Sequence, residues 1–150
     1  MHALRDVSLE IAPHSFCAVT GPSGCGKSTL LNLLGGLDQP SSGEITVDGL
    51  ALHNAGEAEL TAYRRKHLGI VFQFFNLLPA MTAVENVELP LLLADEPTGN
   101  LDSENAGRVL ELFQKIASER LATLIMVTHS PEAAAAAERQ IPMMDGRLSS

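Results

Sequence analysis

Residues 21–28 form a glycine-rich stretch that constrains the fold more than any other part of the sequence. They read Gly-Pro-Ser-Gly-Cys-Gly-Lys-Ser and match the pattern G-x-x-x-x-G-K-[ST]. An apolar run at 16–19 precedes them, and leucines at helical spacing from residue 30 follow them, closed by Gly35-Gly36. The order strand, glycine loop, helix is typical of α/β proteins. A chance match in a chain of this length has a probability of roughly half a percent.

A loop of this kind binds phosphate mainly through its backbone. Glycines let successive N–H groups turn inward around an anion, and the N-terminus of the following helix adds its positive dipole end. Lys27 can reach the outer phosphates, and the Ser28 hydroxyl can ligate magnesium. Two other glycine motifs do not fit, because a hydrolase elbow needs Gly in place of Cys25 and a dinucleotide motif from Gly24 needs Gly or Ala in place of Thr29. The sequence therefore predicts a nucleoside triphosphate site.

The rest of the chain alternates buried strands with helices. A strand at 7–11 is predicted before the strand that ends at the glycine loop, and Asp48-Gly49 predicts a hairpin turn. This order predicts one α/β domain over 1–150, with helices on both faces of a mostly parallel sheet and a small antiparallel β portion. The other predicted elements are helices from residue 27 and at 57–67, 82–88, 103–119 and 133–138, strands at 68–72, 91–94 and 121–128, and a turn at 145–146.

Charge and composition exclude several classes of partner. Ten Lys and Arg against eighteen Asp and Glu give a net charge of −8, and the longest basic block is 64–66, predicted to be a solvated face. We therefore expect neither a nucleic acid nor an anionic membrane surface as the main partner. Cys17 and Cys25 have no metal-ligand spacing, and no secretory signal is recognisable, so we expect a cytoplasmic location. The apolar stretch at 89–94 is too short to span a bilayer.

Polar side chains follow three of the predicted strands. Asp95 and Glu96 close the apolar strand at 91–94, where the first can hold magnesium and the second can orient or deprotonate an attacking water. Gln73 and His129 also end predicted strands, and we expect them in the same cleft. Taken singly, such residues are more often helix caps, strand ends or satisfied surface groups. The glycine loop that precedes them favours the catalytic interpretation.

With these motifs the sequence resembles the nucleotide-binding domain of ABC transporters, most closely the ATPases of lipoprotein-releasing and macrolide-exporting systems. Nearly every residue from Leu4 to Leu148 can be placed on this family. The resemblance implies a P-loop NTPase core of the ABC ATPase type, with ATP and Mg²⁺ as ligands. It is densest at 21–29, 31–38, 71–79, 94–102 and 127–129.

The resemblance also implies a role for each matched position. Asp95 would be the Walker B carboxylate that holds magnesium together with Ser28 and Gln73, the Q-loop glutamine near the attacking water. Glu96 would be the general base, and His129 the switch histidine at the γ-phosphate. The Walker A loop that binds the phosphates would consist of Gly21, Pro22, Ser23, Gly24, Cys25, Gly26, Lys27, Ser28 and Thr29.

One feature of the family has no matching residues. Relatives carry a helical subdomain with an LSGGQ-type signature between the Q-loop and the Walker B strand, whereas here Glu88-Leu89-Pro90 runs directly into Leu91. We therefore predict that the helical subdomain is deleted, so that the domain is internally truncated near 90–91 and also short at the N-terminus. The aromatic residue that stacks on adenine in relatives has no matching position, and Tyr63 is not assigned to it.

The sequence is compatible with two functional hypotheses. The first is an ATP-hydrolysing subunit that works at the inner face of the plasma membrane with an integral-membrane subunit. In intact relatives the resemblance implies a head-to-tail homodimer, with the position of Asp102 at its seam. The second is a nucleotide-binding but hydrolysis-deficient derivative without transport coupling. In relatives the signature of one chain contacts the γ-phosphate held by the other, so we expect very slow hydrolysis by this chain alone. A GTPase is disfavoured because the guanine-selecting N-K-x-D is absent.

Overall fold

A computed structural model describes residues 3–72 and 90–149, so the predictions for Gln73 and for a helix at 82–88 lie outside the described residues. Within the described ranges, no helix has the length and hydropathy that a membrane-spanning segment requires. The described elements are β1 (Phe16–Thr20), α1 (Lys27–Leu34), β2 (Thr46–Val47), β3 (Leu50–Ala51), a 3-10 turn (Leu52–Asn54), α2 (Glu57–His67), β4 (Leu68–Phe72), β5 (Leu91–Asp95), α3 (Ser103–Ser118), β6 (Thr123–Thr128), α4 (Pro131–Ala135), β7 (Arg139–Met144) and β8 (Arg147–Leu148).

The main sheet is almost entirely parallel. Its strand order is β4-β5-β6-β1-β7-β8, and only β8 runs antiparallel to its neighbour. In this register Thr20 lies opposite Thr128, and Asp95 lies opposite Val127. Because β1, β5 and β6 end at one edge of the sheet, the residues that follow these strands come together there.

Alternate side chains of each strand enter two separate apolar cores. On one face of the sheet, residues such as Leu93 and Ile125 share a core with leucines of α1 and α2. On the other face, Leu92 and Leu124 share a core with α3 and α4. The predicted α/β architecture, with helices on both faces of a mostly parallel sheet, is therefore confirmed.

Several local predictions are also confirmed. The helix that begins at Lys27 ends at Leu34 and is capped by Gly35, while α2 and β4 have their predicted bounds. Asp48 and Gly49 form the hairpin turn between β2 and β3, with φ angles of 49° and 79°. These left-handed backbone angles match the twist of the two strands that the turn connects.

Residues 7–11 do not form the strand that their alternating pattern predicts. Val7, Leu9 and Ile11 are half-buried and alternate with exposed residues, and the last two pack against the core under α1. The carbonyl of Glu10 accepts a hydrogen bond of 2.8 Å from the Arg139 guanidinium instead of from a neighbouring strand. The alternation of apolar and polar residues thus indicates which side chains are buried. Side chains can be buried in this way without backbone pairing to a neighbouring strand.

Two predicted elements in the last third of the chain have wrong bounds: a strand and a helix each begin two residues away from the prediction, and the helix also ends three residues early. The strand predicted from 121 begins at Thr123, and Leu121 is 56% exposed. The helix predicted at 133–138 is Pro131–Ala135, because the Ser130 side chain caps it and proline occupies its first position.

Helix α2 is bound to the C-terminal end of α1 by two polar contacts. The buried Tyr63 hydroxyl donates to the Leu34 carbonyl at 2.7 Å, and the Arg64 guanidinium donates to the Gly36 carbonyl at 2.6 Å and to Glu57 at 2.7 Å. Burial, with a smaller effect from the charge of Asp48, raises the pKa of the Tyr63 phenol, which keeps it a hydrogen-bond donor. The prediction of a solvated face at 64–66 is therefore wrong for Arg64.

The burial of β6 leads to a prediction about stability. Leu124 is fully buried, so Leu124→Ala leaves a cavity in the core and should lower the free energy of unfolding by about 2–5 kcal/mol. Leu121→Ala is the matched control, because its exposed side chain should contribute less than about 0.5 kcal/mol. Urea unfolding monitored by circular dichroism would measure both changes. Equal losses in the two variants would contradict the burial of β6.

Candidate functional site

The glycine loop connects β1 to α1 and needs glycine at both of its ends. Gly26 has a φ of +108° as the N-cap residue of α1, and a Cβ on it would lie 2.8 Å from the Ala3 carbonyl oxygen. A Cβ on Gly21 would lie 2.2 Å from the Met143 carbonyl oxygen. The loop is thus packed against the N-terminal segment and β7, so any side chain at either end would force the backbone to move.

Gly146, in the turn between β7 and β8, connects the loop to the N-terminal segment. Its N–H donates to the Cys25 carbonyl at 2.9 Å, and its carbonyl accepts from the Arg5 N–H at 2.8 Å. The Cys25 side chain is buried in the core under α1. The glycine loop is therefore held at Cys25 by a backbone hydrogen bond from the turn between β7 and β8.

Lys27 is a buried cation held by neutral groups. Its side chain is only 7% exposed, and Nζ donates to the carbonyls of Gly21 at 2.7 Å and Pro22 at 2.9 Å. In the described part of the chain it forms no ion pair with a carboxylate. A buried charge is stabilised best by an opposite charge, so this ammonium is available to an incoming anion.

Ser28 and Asp95 lie next to each other although they are far apart in the sequence. The Ser28 hydroxyl donates to Asp95 Oδ2 at 3.1 Å. Helix α1 positions Ser28 in its first turn, and β5 ends at Asp95. A hydroxyl beside a carboxylate suits Mg²⁺, which prefers oxygen ligands.

Glu96 is held at the same edge of the sheet in a left-handed backbone conformation. Its φ is +46°, which is uncommon for a residue other than glycine, and its N–H donates to the Val127 carbonyl at 2.9 Å. Glu96 Oε1 accepts from the His129 N–H at 2.9 Å and lies 2.7 Å from His129 Nδ1. The Glu96 side chain is 15% exposed and that of His129 is 61% exposed. The predicted base and the predicted switch residue are therefore in contact.

Thr128 is not among the predicted site residues, but it contacts Glu96. The hydroxyl of this fully buried residue donates to Glu96 Oε2 at 3.0 Å and accepts from the Ser130 N–H at 3.0 Å. The sequence signal that could have marked Thr128 as a site residue is a polar residue at the end of an otherwise apolar strand, directly before His129.

Asp102 is the N-cap residue of α3. One of its carboxylate oxygens accepts from the Asn105 N–H at 2.8 Å, and the other accepts from the Asn105 amide at 3.0 Å. The backbone hydrogen bond from Asn105 is the largest of the effects that lower the pKa of this carboxyl. The predicted role of Asp102 at a dimer seam stays a prediction.

The described site residues differ in how accessible they are. Residues 22–24 are exposed at the outer side of the loop, whereas Thr29 is half-buried at the start of α1.

The described residues contain no cluster of three His, Cys, Asp or Glu side chains that could hold a metal. A magnesium ion at Ser28 and Asp95 would therefore take most of its ligands from phosphates and water, as is usual for Mg²⁺ at nucleotide sites.

Comparison with known proteins identifies the family. The profile of the family described as ABC transporter matches residues 4–145. The chain belongs to the ABC transporter family. It is 36% identical over 202 residues to the lipoprotein-releasing system ATP-binding protein LolD of Bordetella avium, covering 99% of this chain and 88% of that protein. It is 33% identical over 206 residues to the ABC transporter ATP-binding protein MJ0796 of Methanocaldococcus jannaschii, with the same coverage of 99% and 88%.

A solved structure of this family shows the same fold. The dimeric structure of the MJ0796 cassette in a post-hydrolysis state, bound to ADP and Pi, matches with a TM-score of 0.87 at 31% identity, covering 99% of this chain and 89% of that chain. The resemblance to ABC ATP-binding domains, and to the lipoprotein-releasing subfamily in particular, is therefore confirmed.

The lengths of the alignments show a difference between this ABC ATP-binding chain and its relatives. The alignments with LolD and MJ0796 run over 202 and 206 residues, whereas this chain has 150. Each relative therefore contains residues that have no counterpart here.

The lowered pKa of Asp102 leads to a prediction about pH. The folded-state pKa lies below the unfolded value, so the stabilisation is present above about pH 4 and is lost as the pH falls through the folded pKa. Asp102→Ala should unfold at a lower urea concentration than the wild type at neutral pH, and this difference should narrow below about pH 4. Glu111→Ala, which removes an exposed carboxylate from the middle of the same helix, is the control. A difference that stays constant with pH would show that the charge of Asp102 does not stabilise α3.

Proposed function

We propose that this chain binds MgATP as the nucleotide-binding subunit of an ABC transporter, through Lys27, Ser28 and Asp95. The observation that carries the proposal is the convergence of three groups at one edge of the sheet. The buried Lys27 ammonium lies at the glycine loop and pairs with no carboxylate in the described ranges. The contact between Ser28 and Asp95 lies at the start of the following helix. The positive charge of Lys27 suits a phosphate, and the oxygens of Ser28 and Asp95 suit Mg²⁺ as ligands.

Phosphate binding is the task of the loop and of Lys27. The amides between Gly21 and Ser28 and the N-terminus of α1 provide positive ends of dipoles for a phosphate chain. Lys27 Nζ exchanges the Gly21 and Pro22 carbonyls for phosphate oxygens, so a charged acceptor replaces two neutral ones. This exchange favours nucleotide binding, because the Lys27 ammonium is already buried before the phosphate arrives.

Ser28 and Asp95 are the residues that would hold Mg²⁺, and Gln73 is predicted to join them. The bound ion supplies charge stabilisation for the phosphate oxygens. To act as a ligand, the Ser28 hydroxyl would only need to rotate its hydrogen away from Asp95. The two side chains are already adjacent, so little reorganisation is needed.

Water activation would be the task of Glu96 and His129. The Glu96 carboxylate has two oxygens held by donors from residues 128 and 129, which fixes its direction at the edge of the site. Such a carboxylate can accept a proton from an attacking water. The exposed His129 imidazole can rotate away from Glu96 toward the phosphate, because its side chain is not packed in the core.

Hydrolysis and transport need partners that this chain does not contain. LolD is named as part of a lipoprotein-releasing system, and the MJ0796 cassette is described as dimeric. By analogy we propose that this chain works beside an integral-membrane subunit at the cytoplasmic face of the membrane. The head-to-tail pairing that the resemblance implies for intact relatives stays a prediction. The length difference from LolD and MJ0796 supports a deletion of the helical subdomain near 90–91. The hypothesis of a hydrolysis-deficient derivative stays a prediction that turnover measurements decide.

The first test concerns nucleotide binding. Lys27→Ala should weaken MgATP binding by about 10-fold or more, because it removes the charged donor to the phosphates. Lys115→Ala, which removes an exposed lysine from α3, should leave the affinity unchanged. Equilibrium dialysis or calorimetry with the purified chain would measure both affinities. Equal affinity of Lys27→Ala and the wild type would overturn the proposed site.

The second test concerns turnover. The chain alone should release phosphate from MgATP about 100-fold or more slowly than LolD, because it lacks the signature that contacts the γ-phosphate in relatives. Glu96→Gln should bind MgATP as the wild type does and lose the remaining turnover. Turnover close to that of LolD, abolished in Glu96→Gln, would show that this chain hydrolyses ATP without the missing segment.

A further inference from the structure

We propose that Thr128 is a positioning residue that holds the Glu96 carboxylate in the direction needed to activate water. This inference rests on the proposed function, because Glu96 acts as a base only if MgATP is hydrolysed at this site. The observation that carries it is the hydrogen bond of 3.0 Å from the Thr128 hydroxyl to Glu96 Oε2.

The burial of Thr128 makes this hydrogen bond hard to replace. Thr128 has no exposed surface, so water does not reach its hydroxyl. Thr128 also lies in β6, where its branched Cβ restricts the side chain to few rotamers. The sheet therefore fixes the direction of the Thr128 hydroxyl. The hydrogen bond from this hydroxyl in turn fixes the position of Glu96 Oε2.

The second contact of Glu96, to the His129 side chain, is of a different kind. The His129 imidazole is 61% exposed and lies 2.7 Å from Glu96 Oε1. If it rotates toward the phosphate, as the proposed function requires, this contact is lost. The Thr128 hydroxyl and the His129 backbone N–H then remain as donors to the carboxylate. Thr128 thus keeps Glu96 in place during the step in which it acts.

The register of the main sheet connects Thr128 and Glu96 to the glycine loop. Thr128 lies opposite Thr20, the last residue of β1 before Gly21. The N–H of Glu96 donates to the carbonyl of Val127, so β6 contacts both the backbone and the side chain of the base. The distance between the phosphate loop and Glu96 is therefore set through adjacent strands and not through a flexible connection.

Two substitutions separate the hydroxyl from the shape of the side chain. Thr128→Val keeps the volume and branching but removes the donor to Glu96, whereas Thr128→Ser keeps the hydroxyl. Thr128→Val also removes the acceptor of the Ser130 N–H, and Ser130 caps α4. Ser130→Ala is therefore the control, because it disturbs the start of α4 and leaves the bond between Thr128 and Glu96 intact.

The experiment measures MgATP affinity, phosphate release and amide chemical shifts in the same purified samples. Thr128→Val should lower the turnover number about 10- to 100-fold while the affinity for MgATP stays within about twofold of the wild type. Thr128→Ser should restore most of the turnover, and Ser130→Ala should keep it. The amide resonances of Glu96 and His129 should shift in Thr128→Val and stay near their wild-type positions in Thr128→Ser.

The outcomes separate this inference from the proposed function. Unchanged turnover and unchanged amide resonances in Thr128→Val would overturn the role of Thr128. Equal losses in Thr128→Val and Ser130→Ala would also overturn it, since they would indicate damage to α4. If the wild type binds MgATP without any turnover, the hydrolytic part of the proposed function fails, and the amide resonances alone decide whether Thr128 holds Glu96. Failure of the wild type to bind MgATP would overturn the proposed function itself.

Discussion

Hydrogen bonding between the parallel strands β1, β6 and β5 aligns Thr20 with Thr128 and Val127 with Asp95. The described groups of the candidate site follow from this alignment, because the glycine loop, the carboxylates of Asp95 and Glu96, and His129 all extend from the ends of these three strands. A shift of one residue in any pair would exchange the two faces of a strand and move its apolar side chains out of their core. The same apolar pattern that stabilises the sheet therefore fixes the geometry of the site.

The electrostatic arrangement of the site separates positive from negative groups. Lys27 is surrounded by carbonyl groups of its own loop, and the two carboxylates of Asp95 and Glu96 are held by hydroxyl, amide and imidazole groups. A direct ion pair between Lys27 and either acid would neutralise the charges that a nucleotide and a metal ion need. The fold keeps them apart because they belong to different elements, the loop before α1 and the end of β5.

Much of this arrangement could be predicted from the sequence. The glycine loop, the apolar strand before Asp95 and the leucines of α1 are local patterns, and each one determines its own element. The contacts of Arg64 and Thr128 could not be predicted, because they depend on where a distant carbonyl or carboxylate lies after folding. The false strand at 7–11 has a related cause: alternation indicates which side chains are buried, and does not show whether a neighbouring strand is present to accept the backbone hydrogen bonds.

The turn at Gly146 has a consequence for the dynamics of the chain. Its N–H is bonded to the loop at Cys25, and its carbonyl is bonded to Arg5. A ligand that tightens the loop would therefore also slow the opening of these two bonds, and amide hydrogens at Arg5 and Gly146 would exchange with solvent more slowly. Amide exchange at Arg5 and Gly146, which are far from the glycine loop in the sequence, would thus report whether the loop holds a ligand, without any contact between these residues and the ligand.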